Sequence, residues 1–244
     1  MTSSDATADL RSIRLFTDAA TLFEGSEVAL GERHARYLGA VMRRAPGDTL
    51  RVFDGRHGEW SARIKAIDKR SVRLRVVALL RAQAPEPDLW LLLSIIKRDA
   101  FELALEKATE LGVSAILPVI TVRSQPGRAN PERLRAIALE AAEQCERLTV
   151  PDIHAPLPLA EVLAGWQSER VLVAAIERSD APAPPRLAGP AALLVGPEGG
   201  FDQRELDALR RLPFLLPASL GPRILRAETA AIVGLALLQA ADRA

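Results

Sequence analysis

Leu89-Trp90-Leu91-Leu92-Leu93-Ser94-Ile95-Ile96 is the longest strongly apolar run in the chain, and its reading decides the fold. It is far too short to cross a bilayer. It does not alternate, so a strand built from it must be covered on both faces, as in a parallel sheet. The residues that follow agree. Asp99–Leu111 puts Phe101, Ala104, Leu105, Ala108 and Leu111 at helical spacing, with Gly112 as the stop. Val113–Ile120 reads as the next strand. Pro131–Leu148 reads as a helix with Leu134, Ala138, Ala141, Cys145 and Leu148 as its apolar stripe. Val171–Ile176, Ala191–Val195 and the segment opening at Phe214–Leu216 read as further strands, with residues 177–190 as a loop. Asp202 is placed to cap a helix through Leu209, helped by Glu205 three residues on. Ala227–Ala241 reads as the last helix. Strands alternating with helices predict a mostly parallel sheet with helices on both sides.

Upstream of this stretch the pattern differs. Ala82-Gln83-Ala84-Pro85-Glu86-Pro87 suits an extended linker. Before it, Leu50–Phe53 runs into the turn pair Asp54-Gly55. Trp60, Ala62, Ile64 and Ala66 then alternate with more polar neighbours, as do Val72, Leu74 and Val76. Period-two patterns separated by turn residues predict antiparallel strands with one buried face. His34–Arg43 reads as a short helix closed by Pro46-Gly47-Asp48. A small barrel or curled sheet is the expected packing, giving a first domain over 1–81 and a second over 82–244.

Charge divides along the same boundary. Residues 1–81 carry 13 Arg and 2 Lys against 10 acidic residues, a surplus of +5, and the remaining 17 basic and 21 acidic residues give −4. Such asymmetry points to an electrostatic task for the first domain, such as binding nucleic acid. The single cysteine, Cys145, excludes an intrachain disulfide framework and a multi-cysteine zinc site. Met1–Leu10 lacks the charged-then-apolar order of a secretory signal. The expectation is a soluble, cytoplasmic protein that needs no metal.

Two segments of the second domain carry the strongest signals. Leu194-Val195-Gly196-Pro197-Glu198-Gly199-Gly200-Phe201 follows a strand and precedes the capped helix. Ligands bind beyond the carboxyl ends of strands in open α/β sheets, and glycines there allow close backbone approach. The segment is not the G-x-G-x-x-G fingerprint, so NAD is not supported. Leu220-Gly221-Pro222-Arg223-Ile224-Leu225-Arg226-Ala227-Glu228-Thr229-Ala230 repeats the arrangement: a strand end, a Gly-Pro turn, then a helix. Two weaker signals accompany them. Glu140, Glu143, Gln144 and Arg147 are spaced to share one helical face, and Lys97-Arg98-Asp99 and Arg123-Ser124 end two of the strands.

Together, Gly196–Gly200 and Leu220–Ala230 closely resemble the paired signature of the RsmE family, the 16S rRNA uridine-N3 methyltransferases of the SPOUT superfamily. Ile13–Phe16, His34–Leu38, Gly47-Asp48 and Phe53–Gly55 are similar to that family's N-terminal segment, and Glu110–Val113 and Glu143–Cys145 also fit. The pattern has Thr where Ala227 stands and Gly where Glu146 stands. The resemblance implies an N-terminal PUA-like β-barrel and a C-terminal α/β SPOUT domain with a deep trefoil knot. It implies S-adenosyl-L-methionine as cofactor, 16S rRNA or the small ribosomal subunit as partner, and a homodimer through the knot region. The implied cofactor-binding residues are Leu194, Gly196, Pro197, Gly199, Gly200, Leu220, Gly221, Ile224, Leu225 and Arg226. Arg226, Glu198 and Glu228 become the catalytic candidates. Arg11, Arg14, Arg33, Arg36, Arg43, Arg44, Arg123 and Arg223 are the candidates for holding RNA. The same chemistry on tRNA, or a non-catalytic ribosome-associated RNA-binding protein, stays open at this stage.

Overall fold

The computed structural model describes residues 13–18, 21–125, 130–176, 181–185, 187 and 189–240. The chain divides into two compact units, one reaching Pro85 and also taking in Ala142–Thr149, the other formed by Glu86–Ala141 and the residues from Val150 onward.

The first unit is built on strands β1 (Arg14–Phe16), β2 (Glu27–Leu30), β3 (Thr49–Phe53), β4 (Glu59–Ile67) and β5 (Val72–Arg81), in the order β1-β3-β4-β5-β2. All pairs are antiparallel except β1 with β3. Ala62, Ile64, Val72, Leu74 and Val76 point inward and are at most 1% exposed, as their alternation predicts. Trp60 and Ala66 are only half-buried, because the β4–β5 register shifts at Ser61/Ala62 and again at Ile64/Ala66. The expected helix over His34–Arg43 is instead a short α1 (Glu32–Arg36) continued by a π-helical turn, Tyr37–Val41.

One carboxylate organises the edge of this unit. Glu59 is fully buried and meets three arginines. Arg14 donates to it, Arg81 reaches its Oε2 at 2.7 Å, and the Arg51 guanidinium lies 3.7 Å away. Arg14 also stacks over Phe53 and donates to the carbonyls of Ala142 and Arg147. Glu143 accepts from the Phe16 amide at 2.9 Å, and Glu146 accepts from Arg51 at 2.8 Å. Residues 142–149 are thereby part of this unit, which no continuous boundary at 81/82 anticipates.

The second unit holds strands β6 (Leu89–Ser94), β7 (Ala115–Ile120), β8 (Asp152–Ile153), β9 (Leu157–Pro158), β10 (Val171–Ala175), β11 (Ala191–Val195) and β12 (Leu215–Ala218). They pair in parallel in the order β12-β10-β11-β6-β7-β8, with β9 also on β7. Helices α2 (Arg98–Glu110), α3 (Pro131–Gln144), α4 (Leu159–Ala164), α5 (Gln203–Arg210) and α6 (Ala227–Ala240) complete it. Leu91, Leu93 and Leu193 pack with α2, α6 and the start of α3. Leu92, Leu172 and Leu194 pack with Leu159, Phe201 and Leu209 on the other face. This two-sided cover is why Leu89–Ile96 shows no alternation.

Helix α3 stops at Gln144, four residues short of the sequence expectation, and Glu146 adopts a left-handed backbone with φ +61. Arg147 therefore does not continue a helical face with Glu140 and Glu143. The short elements β8, β9 and α4 carry too little periodicity to be read from sequence. At the amino-terminal edge of the sheet, Arg170 lies over the Trp90 ring and bonds Asp88 at 2.6 Å. That ion pair ties the starts of β6 and β10 at the edge remote from the strand ends where a ligand would enter.

Candidate active site

The carboxyl ends of β10, β11 and β12 open into a cavity of about 550 Å3 in the second unit. Its volume lies in the range typical of small-molecule sites, and its position at the carboxyl edge of a parallel sheet is the expected one. Both glycine-bearing turns line it. Gly196–Phe201 follows β11, and Ser219–Leu225 follows β12.

The sequence of each turn suits its task. Pro197 is buried, and the Gly200 amide closes a turn on its carbonyl at 2.8 Å. Gly200 has φ +68 and Gly221 φ +113, conformations that cost a residue with a Cβ. At Gly196 a Cβ would stand 2.9 Å from the Phe201 ring. Asp202 then caps α5 with a complete capping box, as its spacing with Glu205 predicts. The Glu205 carboxylate does more than cap: it also accepts from the Val122 amide at 2.8 Å, tying the loop after β7 to the start of α5.

Arg123 completes that tie. Its Nη1 donates to the Gly199 carbonyl at 2.6 Å, and its side chain lines the cavity. Arg223 lines it too, and Glu198 is the one carboxylate that does so among the described residues. The lining therefore offers backbone groups, apolar walls from Leu220, Ile224 and Leu225, two cations and one acid.

Not every predicted residue is brought here. Leu194 is fully buried in the core, because its strand position turns its side chain into the face shared with Leu92 and Leu172. Arg226 is exposed and does not line the cavity; its carbonyl accepts from Ala230 at the start of α6. Glu228 is half-buried in the first turn of α6, also outside the lining. Lys97, Arg98 and Asp99 are exposed and absent from the lining, with Arg98 paired to Glu102. Ala175, Ile176, Ser219 and Leu206 were missed. The first three stand at strand ends that only the strand order makes neighbours. Ala227, where the family pattern has Thr, is buried in the cavity wall, so no hydroxyl is offered there.

Of the RNA candidates in the first unit, Arg33, Arg36 and Arg43 are exposed and Arg44 is half-buried. Arg11 lies outside the described residues. Arg14 is a correction: it is 6% exposed, and Glu59 together with two backbone carbonyls takes up its guanidinium, so it cannot meet a phosphate. Among the described residues there is no cluster of metal ligands, and no helix is long and apolar enough to cross a membrane.

Residues 83–239 match the model of an RNA methyltransferase domain, and residues 30–77 match that of an RNA methyltransferase PUA domain. The chain is 36% identical to the ribosomal RNA small subunit methyltransferase E of Rickettsia conorii over 221 residues, covering 88% of this chain and 90% of that one. It is 33% identical to the Synechocystis protein of the same name, covering 87% and 73%. Among solved structures, the ribosomal RNA small subunit methyltransferase E of Neisseria gonorrhoeae, bound to S-adenosyl methionine, superposes with a TM-score of 0.84 at 30% identity, covering 94% and 97%. A Legionella pneumophila methyltransferase in complex with the same cofactor gives 0.82 at 33% identity, covering 95% and 98%.

Proposed function

Because the chain belongs to the ribosomal RNA small subunit methyltransferase E family, we propose that it transfers a methyl group from S-adenosylmethionine to N3 of a uridine in 16S ribosomal RNA. The observation that carries this reading is the single cavity lined jointly by Gly196–Gly200 and Leu220–Leu225.

The residues present fit the cofactor. Gly196, Gly199, Gly200 and Gly221 would let it lie against the backbone, and Leu220, Ile224 and Leu225 would wall its apolar surface. When bound, the cofactor supplies a methyl group activated by a positively charged sulfur. The protein's own part is alignment and charge. Holding two reactants in register removes much of the barrier. The N3 proton of the uridine must leave, and Glu198 is the carboxylate in the lining able to accept it. Arg223 and Arg123 stabilise the negative charge that then develops on the base. Arg226, just before α6, meets the RNA outside the cavity. A uridine in folded rRNA has to leave its stack to enter.

Three finer points belong to the same reading. The chain forms a trefoil knot at its C-terminal end; in support, α6 follows β12 at the sheet edge yet packs on β11 and α2. It forms a homodimer, supported by Leu237 on α6 and Leu103 on α2, 41% and 42% exposed. It acts in the cytoplasm, where its rRNA substrate is made. Arg33, Arg36, Arg43 and Arg44 hold phosphates, which makes RNA affinity fall with salt.

The test is to incubate the protein with S-adenosylmethionine and unmodified small subunits or tRNA, then map methylated nucleotides by mass spectrometry. One N3-methyluridine in 16S rRNA is expected. Methylated tRNA with unmodified rRNA, or no heat on mixing protein with cofactor, overturns the reading.

A further inference from the structure

Glu205 stands in the first turn of α5, outside the cavity lining, and both of its carboxylate oxygens are in use. Oε2 accepts from the Asp202 amide at 2.9 Å, which closes the capping box, while Oε1 accepts from the Val122 amide at 2.8 Å. The two bonds answer different needs. A capping box is served by glutamate or glutamine alike. Two amides donating to one side chain need two acceptors, and glutamine offers a single carbonyl oxygen beside a donor. The cap alone therefore does not call for a carboxylate here. The bond to Val122, 83 residues away in the chain, does.

Val122 belongs to the short loop that leaves β7. Within this loop Ser124 Oγ accepts from the Thr121 amide at 2.9 Å, and the Ser124 amide donates to the Thr121 carbonyl at 3.1 Å. The Gln125 amide bonds the Ile95 carbonyl at 2.9 Å. These bonds hold the loop to itself and to the residue after β6. The Val122 side chain adds little anchoring, because it is 69% exposed. Among the described residues, two hydrogen bonds join the loop to Gly199–Glu205: the one from Val122 to Glu205 and the one from Arg123 to the Gly199 carbonyl.

Arg123 follows Val122 directly, so fixing the Val122 amide fixes where the Arg123 side chain begins. The result is a closed ring. Gly199 runs through the backbone to Asp202 and Glu205, the Glu205 carboxylate crosses to Val122, and the Arg123 guanidinium returns to Gly199. A turn held in such a ring is ordered before a ligand arrives, which lowers the ordering cost of binding. The same ring keeps the Arg123 charge in the cavity lining.

We propose that Glu205 is a positioning residue for methyl transfer. It acts through Val122 to set Arg123, and through Arg123 it sets the Gly199 turn and the positive charge that faces the reacting base. The proposal rests on the methyl-transfer reading of the cavity and adds to it a residue that touches neither cofactor nor substrate.

The experiment compares Glu205→Ala with Asp202→Ala in the full chain. Both break the capping box, and only the first releases Val122. Urea denaturation is expected to show similar losses of stability. Calorimetry is expected to show S-adenosylmethionine affinity falling about 5-fold in Glu205→Ala, as for one lost charge-assisted bond, and staying within about 2-fold of the wild type in Asp202→Ala. The kcat for methylation of unmodified small subunits, at saturating cofactor, is expected to fall in Glu205→Ala and to hold in Asp202→Ala. A double-mutant cycle identifies the route: in an Arg123→Ala background, Glu205→Ala is expected to lose no further affinity, whereas independent sites would multiply their losses. Amide hydrogen exchange at Val122 reads the bond without cofactor and is expected to quicken in Glu205→Ala alone. Equal affinity losses in Glu205→Ala and Asp202→Ala, losses that multiply in the double variant, or unaltered exchange at Val122 each overturn the proposal. Absence of heat between the wild type and S-adenosylmethionine would instead defeat the methyl-transfer reading, while the exchange at Val122 still reports whether Glu205 holds the loop.

Discussion

Arg123 donates from Nη1 to the carbonyl oxygen of Gly199 at 2.6 Å, and its Cδ lies 3.3 Å from where a Cβ on Gly199 would stand. The stem of the arginine fills the space that the glycine leaves, and its head fixes the direction of the peptide. One exposed side chain thus holds the conformation of the turn that follows β11. Arg123→Ala removes one charge-assisted hydrogen bond, and at an exposed position about 1 kcal/mol is expected. Calorimetry should show S-adenosylmethionine affinity falling by roughly 5-fold, with the melting temperature little changed. An unaltered affinity would mean that the turn holds its shape unaided.

Gly196 faces the Phe201 ring so closely that a methyl group there must displace it. Phe201 is 8% exposed and cannot simply swing into water. Gly196→Ala is expected to cost about 1–3 kcal/mol through overpacking and to reduce cofactor binding. Adding Phe201→Leu to that variant should recover part of the stability, because the smaller side chain vacates the contact. Urea denaturation of the two variants measures the difference.

Glu59 is the shared partner of Arg14, Arg51 and Arg81 and has no contact with water. Removing its charge leaves buried guanidinium groups uncompensated. Glu59→Gln is expected to destabilise the protein by about 3–5 kcal/mol, the usual cost of breaking a buried ion pair from one side. A loss below about 1 kcal/mol on chemical denaturation would show that water or a neighbouring carbonyl takes over.

Glu146 combines a strained backbone with a favourable side chain. Its φ of +61 suits glycine, while the Arg51 guanidinium bonded to it holds its carboxyl below the usual range. Replacement by alanine keeps the strain and loses the ion pair. Replacement by glycine loses the ion pair and relieves the strain, which is worth about 1 kcal/mol. The expected order of melting temperature therefore places Glu146→Gly above Glu146→Ala.

Glu102 links α2 to α3 through Arg133, which donates to both its oxygens, and also accepts from Arg98. The Arg133 hydrogen bonds pull its carboxyl from 4.5 down to about 2. A carboxyl depressed in the folded state adds stability that is complete above its unfolded value and fades as pH falls through its folded value. Glu102→Gln should thus be less stable than the wild type at neutral pH, with the gap closing between 4.5 and about 2. The Arg133 side chain is 49% exposed, so high salt should narrow the gap as well. Thermal melts across this pH range provide the measurement.

Much of this was legible in the chain. Leu89–Ile96 reads as a strand covered on both sides because all of its residues but Ser94 are apolar, and the Asp202/Glu205 spacing reads as a cap because one local hydrogen-bond pair makes it. Both glycine turns were visible because backbone that must approach a ligand or turn left-handed requires glycine locally. Arg14 could not be read correctly. Its role depends on Glu59, 45 residues away, and on carbonyls more than 120 residues away. Nothing in the local pattern separates an arginine facing phosphate from one buried against a carboxylate.

The chain's own order determined the strand and helix periods, the glycine turns, the excess of positive charge in the first 81 residues and the family signature, since each is a property of neighbouring residues. Only the tertiary structure decided that β10, β11 and β12 lie side by side, so that their ends share one cavity. It also decided which arginines are spent inside the protein and which stay at the surface. Strand order and burial arise from contacts between residues far apart in the chain, and a local pattern carries no record of them.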